Sequence, residues 1–75
     1  MNLEKFIELF ADQFDDTPSE RFTPQTVYKD LGEWDSLNSL SVIAMIDEEM
    51  EKRITGADIR NCNTIEELFN LATSL

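Results

Sequence analysis

The sequence predicts an all-α fold, a small antiparallel four-helix bundle with a long first loop and a short third helix. Apolar residues recur at spacings of three and four in three long segments, and a shorter apolar segment lies between the last two. One long connection, residues 15–33, lacks this periodicity and contains both prolines, and no segment alternates like a strand. With 75 residues, the chain is expected to form a single domain, residues 1–75, with a thin core.

Helix one is predicted at about residues 3–14, with Asn2 as its N-cap. Its apolar stripe contains Leu3, Phe6, Ile7, Phe10 and Phe14. In the loop that follows, Pro18 and Pro24 each push the preceding threonine out of helical geometry. Four apolar loop residues are expected to pin the loop across the helix ends: Phe22, Val27, Tyr28 and Leu31.

Helix two is predicted to begin at Asp35 or Ser36, because Asp35 is a good N-cap. The helical period predicts an inward stripe of Leu40, Ile43, Ile46 and Met50, with Val42 beside it. It places Asn38, Ser41, Met45 and Glu48 on the outward face. Trp34, just before this helix, is interpreted as a loop anchor in the core, in preference to a partner contact.

The last two helices have clear start signals. Thr55 is expected to cap a short third helix that contains Ala57 and Ile59. Thr64 and Glu67 form a predicted capping box for helix four. The apolar face of helix four is expected to contain Ile65, Leu68, Phe69, Ala72 and Leu75.

The charge of the chain limits its partners. Asp and Glu number 16 against 6 Lys and Arg, which gives a formal charge of -10. Nucleic acid and anionic membranes are therefore poor partners. Charged residues interrupt the first apolar segment, so neither a signal peptide nor stable membrane insertion is expected. A single cysteine suits a reducing compartment, which favours the cytoplasm.

The residue inventory argues against catalysis. Without histidine, the chain cannot assemble a Ser/His/Asp or Cys/His arrangement, and one cysteine does not make an ordinary zinc site. Two glycines are too few for a P-loop or a dinucleotide fingerprint. We therefore expect a protein that is not an enzyme and has no metal site, and we interpret Cys62 as a partly buried spare thiol.

The most informative segment is DLGEWDSL, residues 30–37. It places Ser36 directly after an acidic residue and at the start of an apolar helix. We interpret this serine as an attachment point and not as a catalyst. The simpler interpretation is that Ser36 only caps the helix, since Asp-Ser before an apolar run is common.

This segment resembles the modification site of acyl carrier proteins, and six positions match: Asp30, Leu31, Gly32, Asp35, Ser36 and Leu37. The resemblance covers nearly the whole chain and implies the same type of helical bundle. It implies that Ser36 bears a covalent 4'-phosphopantetheine through a phosphodiester, whose terminal thiol holds acyl groups as thioesters. The start of helix two suits this negative group, because its first backbone amides lack internal partners.

The resemblance also implies partners and a pathway. The partners would be a phosphopantetheinyl transferase, and acyl-loading and acyl-processing enzymes with basic docking patches, which a monomeric carrier meets in turn. The pathway would be fatty acid, polyketide or related acyl transfer. The docking residues would be Asp35, Leu37, Ser41, Met45, Asp47 and Glu48.

Part of the acidity near the end of helix two has a second interpretation. Glu48 with Lys52 and Glu49 with Arg53 are favourable i,i+4 pairs, so the run could be a solvated charged face. Asp47 and Glu51, however, repel each other at the same spacing.

Two alternatives to an acyl carrier stay open. One is an aminoacyl or peptidyl carrier, although the glycine pair that often precedes the serine in those relatives is absent. The other is an unmodified acidic helical adaptor. Acyl carrier proteins also often have an acidic residue shortly after the serine, where this chain has Asn38, Ser39 and Ser41, so the pathway is left open. Five inward residues are interpreted as plain core, in preference to a shelter for a short acyl chain: Ile43, Ile46, Ile54, Ile59 and Leu68.

Overall fold

A computed structural model describes all residues, 1–75, as a bundle of four α-helices. The helices are α1 (Leu3–Ala11), α2 (Ser36–Met50), α3 (Gly56–Asn61) and α4 (Ile65–Ser74). Helix α1 packs against α2 and α4, and α2 packs against α3. No strand is present beyond one isolated bridge between Val27 and Thr64, so the all-α prediction is confirmed. None of the four helices combines the length and the apolar character that crossing a membrane requires.

The predicted helix starts are confirmed by side-chain caps. Asn2 Oδ1 accepts the N–H of Lys5 at 2.8 Å. Thr55 and Thr64 each form a capping box with the acidic residue three positions later. Each cap satisfies amides that the helix itself leaves without acceptors.

Helix α1 is shorter than the sequence predicted. It ends at Ala11, and the amides of Gln13 and Phe14 donate to carbonyl groups three residues back in a tighter turn. Phe14 nevertheless stays in the core, so its apolar signal was correct while its helical assignment was wrong.

The core consists of thirteen buried residues, and all of them are apolar or aromatic. They are Phe6, Phe10, Phe14, Phe22, Tyr28, Val42, Met45, Ile46, Ile54, Ile59, Ile65, Leu68 and Ala72. The Tyr28 hydroxyl is the one polar side-chain group among them. Phe10 lies at the centre of an aromatic group, since its ring is within about 6.5 Å of five other rings. The predicted face of α4 is confirmed except at Leu75, which lies beyond the end of α4 and is 53% exposed.

The long first loop contains two short 3₁₀ helices, Ser19–Arg21 and Tyr28–Asp30, which the sequence did not predict. The prediction that the loop is pinned is confirmed for Phe22 and Tyr28, which are buried, and for Leu31, which packs partly buried against the core, but Val27 is exposed. Backbone carbonyl groups of the loop also accept the first amides of α4.

Helix α2 presents part of the predicted face to the core, because Ile46 and Val42 are buried as expected, but the buried face is shifted around the helix. Val42, Met45 and Ile46 are buried, whereas Leu40 is 62% exposed. The inward placement of Leu40 and the outward placement of Met45 were therefore wrong. Both errors correspond to a rotation of α2 about its own axis by about one residue, or roughly 100°. Apolar residues occur around most of this helix, so its period alone does not select the buried face.

Candidate functional site

Ser36 is the first residue of α2, and its hydroxyl is free. The cap of the helix is Asp35, whose Oδ1 accepts the N–H of Asn38 at 2.9 Å. Ser36 is exposed, and its Oγ makes no hydrogen bond within the chain. The simpler interpretation, in which Ser36 only caps the helix, is therefore wrong. Asp35 caps the helix, and the serine hydroxyl has no hydrogen-bond partner in the chain.

The backbone around Ser36 suits an anion. The amides of Ser36 and Leu37 have no acceptor in the chain, because they belong to the first turn and the Asp35 side chain binds a later amide. The helix dipole adds partial positive charge at the same end. A phosphodiester on the serine oxygen therefore fits this position without burying charge.

The segment before the serine is anchored by Trp34. Its ring stacks on Phe14 at 6.1 Å between centroids and meets the Tyr28 ring at 5.0 Å. The interpretation of Trp34 as a loop anchor in the core is confirmed, because the ring is partly buried against these residues.

Glu33 binds the loop that follows α1. Its two carboxylate oxygens accept the amides of Asp15 at 2.9 Å and Asp16 at 3.0 Å, and the hydroxyl of Thr17 at 2.8 Å. The Thr17 hydroxyl and then these amides hold the pKa of Glu33 below its ordinary value. The ionised carboxylate thus stabilises the fold above that ordinary pKa, and this contribution is lost as the pH falls through the lowered one.

The sequence also matches a protein family of known function. The model of the phosphopantetheine attachment site family matches residues 4–71. This chain belongs to that family. The family site holds covalently bound 4'-phosphopantetheine, so the chain is a phosphopantetheine carrier. Such a carrier interacts with a phosphopantetheinyl transferase and with the enzymes that use its cargo. No curated protein and no solved structure matches the chain significantly.

The carrier exposes an apolar strip on α2, of which the sequence analysis predicted only Leu37 as a surface residue. Leu37 is 71% exposed and Leu40 62% exposed, and Ala44 is exposed one turn further on. Leu40 lies four residues after Ser36, so it shares the side of the helix on which the serine is found. The sequence contains this spacing, but Leu40 was predicted to face inward.

The predicted docking residues are not all on the surface. Asp35, Leu37, Asp47 and Glu48 are exposed, and Ser41 is partly exposed. Met45 is only 4% exposed, because it faces the core with Val42 and Ile46. Its place among the docking residues was therefore a misassignment that followed from the rotated helix face.

The acidic end of α2 is not neutralised within the chain. The helix ends at Met50, and Glu51 is left-handed, so Lys52 and Arg53 do not continue the helical spacing. Lys52 Nζ donates to the carbonyl of Leu75 instead. The predicted pairs of Glu48 with Lys52 and Glu49 with Arg53 are wrong, since the one ion pair in the carrier joins Lys5 and Glu8 at 3.9 Å.

Neither surface depression of the carrier is lined by the residues considered as an acyl shelter. One, of about 450 Å³, lies beside Glu33 and Arg21, and the other, of about 520 Å³, lies beside Ile7 and Pro24. Four of the five shelter candidates are in the buried core, and Ile43 packs against it. An acyl chain would therefore enter between the helices only if they moved apart.

Cys62 has the environment of an inert thiol. It is half-buried at the C-cap of α3, and burial, followed by the charges of Glu67 and Asp58, raises the pKa of its thiol. The neutral form predominates at neutral pH, which lowers its reactivity.

Proposed function

We propose that this chain is an acyl carrier protein that bears 4'-phosphopantetheine on Ser36. The observation that supports it is the exposed hydroxyl of Ser36 at the first position of α2, free of hydrogen bonds while Asp35 caps the helix. When attached, the group supplies a flexible arm with a terminal thiol that holds acyl groups as thioesters.

The residues of the chain hold and present this attachment. In the modification, the Ser36 oxygen gives up its proton and forms the new bond to the phosphorus of coenzyme A that bears the pantetheine arm. The phosphoanhydride bond of coenzyme A breaks, and adenosine 3',5'-bisphosphate leaves. The amides of Ser36 and Leu37 then lie next to the phosphodiester charge. Asp35 uses only Oδ1 for the cap, which leaves its second oxygen for a basic residue of the transferase.

The proposed docking surface is the outer face of α2, defined as Leu37, Leu40, Ser41, Ala44, Asp47 and Glu48. Its first half, near the serine, is apolar, and its second half is acidic and has no ion pair within the chain. A complementary partner has an apolar recess near its active-site entrance and basic residues further along. Charge speeds the encounter, while a small interface lets the carrier leave each enzyme quickly.

Among carriers, acyl cargo is proposed over aminoacyl or peptidyl cargo. Glu33, Trp34 and Asp35 precede the serine, where a glycine pair is often found in the aminoacyl and peptidyl relatives. We also propose that the protein acts as a monomer in the cytoplasm, where a single unpaired cysteine remains reduced.

Modification of the purified chain tests this proposal. Incubation with coenzyme A and a phosphopantetheinyl transferase is expected to add one phosphopantetheine mass to the wild type and none to Ser36→Ala, as measured by intact-protein mass spectrometry. Ser39→Ala, which removes a hydroxyl one turn into the same helix, is the matched control and is expected to be modified normally. Loading assays with acyl and aminoacyl donors then compare the two cargo classes.

Two results would contradict the proposal. One is that several transferases of different specificity leave the wild type unmodified. The other is that Ser36→Ala gains the same mass as the wild type, because the attachment would then lie elsewhere.

A further inference from the structure

Glu33 before Ser36 and Asn38 after it bind the segment of Ser36 to the chain that follows α1. Glu33, three residues before the serine, accepts three hydrogen bonds from residues 15–17. Asn38, two residues after it, donates through Nδ2 to the carbonyl oxygen of Gln13 at 3.1 Å. The serine thus lies between two polar contacts to one neighbouring stretch of chain.

The chemistry of the second contact requires a donor at position 38. The carbonyl oxygen of Gln13 can only accept, so the Asn38 side chain must present its NH₂ group to it. Both groups are partly buried, which limits replacement by water. An aspartate there would be favoured by the helix dipole, but it would place a second acceptor against the carbonyl, and the unsatisfied pair costs more than the dipole gains.

The chemistry of the first contact requires a carboxylate at position 33. Both oxygens of Glu33 are acceptors for donors that come from three successive residues. A glutamine has one acceptor oxygen, and its NH₂ group would face an N–H donor. Neither a neutral amide at position 33 nor a carboxylate at position 38 can therefore keep the observed arrangement.

We propose that Glu33 and Asn38 are positioning residues for the modification of Ser36. They fix the orientation of the serine hydroxyl and of the first amides of α2 before an enzyme arrives. Neither residue touches the reacting atoms. The inference rests on the proposed function of Ser36 as the attachment point. When the contacts are removed, only a fraction of molecules present the serine correctly, and the apparent affinity for the transferase falls by that fraction.

The kinetics of phosphopantetheine transfer to the full chain test this inference. For Asn38→Asp and Glu33→Gln, the KM of the transferase for the carrier is expected to rise about fivefold, the effect of one lost hydrogen bond, while kcat stays unchanged. Asn70→Asp is the matched control, because it makes the same chemical change at an exposed residue of α4 whose side chain has no hydrogen bond. Its KM is expected to equal that of the wild type.

The direction of the change separates positioning from docking charge. If Asn38 were only part of a docking face, the new negative charge would attract a basic transferase more strongly, and KM would fall. Circular dichroism at the assay temperature shows whether each variant is folded, and amide exchange at Asp15 and Asp16 reports on the Glu33 contact. Should Asn38→Asp fail to fold, Glu33→Gln and Asn38→Ala decide the question by the same kinetic criterion.

Three results would overturn the inference. They are a KM equal to that of the wild type in folded Asn38→Asp and Glu33→Gln, a lower KM in Asn38→Asp, and a lower kcat at unchanged KM. In each case the wild type is still modified on Ser36, and the proposed function stands. A wild type that no transferase modifies would instead overturn the proposed function, and this inference with it.

Discussion

At the residue scale, neighbouring side chains in the site have different tasks. Asp35 caps α2 and thereby satisfies the amide of Asn38, while Ser36 keeps its hydroxyl free. A serine in the capping position would have its oxygen occupied by an amide of the first turn. The order Asp-Ser therefore keeps the helix start intact and leaves the serine oxygen available for a new bond.

Glu51 is the one residue of the chain in a left-handed conformation, with φ 55° at the C-cap of α2. This conformation costs an L-residue about 1–2 kcal/mol, whereas glycine adopts it readily. Glu51→Gly is expected to stabilise the fold by about 0.5–1 kcal/mol, since the greater freedom of glycine in the unfolded chain offsets part of the gain. Urea unfolding monitored by circular dichroism measures the change.

Two control variants identify the cause. Glu48→Gly, within the helix, is expected to destabilise the protein by about 1 kcal/mol. Glu51→Gln removes the charge and keeps the backbone cost, so it separates the two contributions. If Glu51→Gly lowered the free energy of unfolding as much as Glu48→Gly does, the left-handed conformation would not be the source of strain.

At the element scale, the long first loop holds the short helix α3. Tyr28 is fully buried, and its single O–H is shared between the carbonyl oxygens of Ile59 and Cys62 at the end of α3. Lys29 Nζ donates to the carbonyl of Arg60 at 2.8 Å. A helix of six residues is too short to be stable alone, so these contacts and its buried Ile59 determine its position.

Tyr28→Phe is expected to lower the free energy of unfolding by about 1–3 kcal/mol, because it leaves buried carbonyl groups without a donor. Amide exchange is expected to quicken in α3 more than in α1. Lys29→Met is the comparison variant. It is expected to lower the free energy of unfolding less than Tyr28→Phe does, because water can replace the lysine at an exposed carbonyl. Equal acceleration of exchange in all helices would show that Tyr28 supports the whole core and does not specifically hold α3.

The sequence predicted the helix starts better than the helix faces. Asn2, Thr55 and Thr64 are read correctly because a cap depends on residues three positions apart. The faces of Leu40 and Met45 were reversed because α2 is apolar on two sides, and only packing against the other helices selects the buried one. The contacts of Glu33 and Asn38 reach residues 16 to 25 positions earlier in the chain, so no local pattern reveals them.

At the scale of the whole molecule, charge is the dominant property. The chain has a formal charge of -10 within extents of 29 × 23 × 20 Å, and one ion pair. At about 0.01 M salt the Debye length is about 30 Å, so every part of the molecule acts on an approaching partner, whereas at about 0.15 M it is about 8 Å. Near the physiological value, the charges next to the contact determine the rate of encounter.

The kcat/KM of the transferase for the wild type is therefore expected to fall as salt rises over this range. Asp47→Asn with Glu48→Gln, on the outer face of α2, is expected to lower kcat/KM at low salt and to flatten the salt dependence. Asp12→Asn with Glu20→Gln makes the same change in net charge at exposed positions outside α2. If both double variants reduced kcat/KM equally at about 0.15 M salt, only the total charge would matter, and the acidic half of the outer face would not be a docking surface.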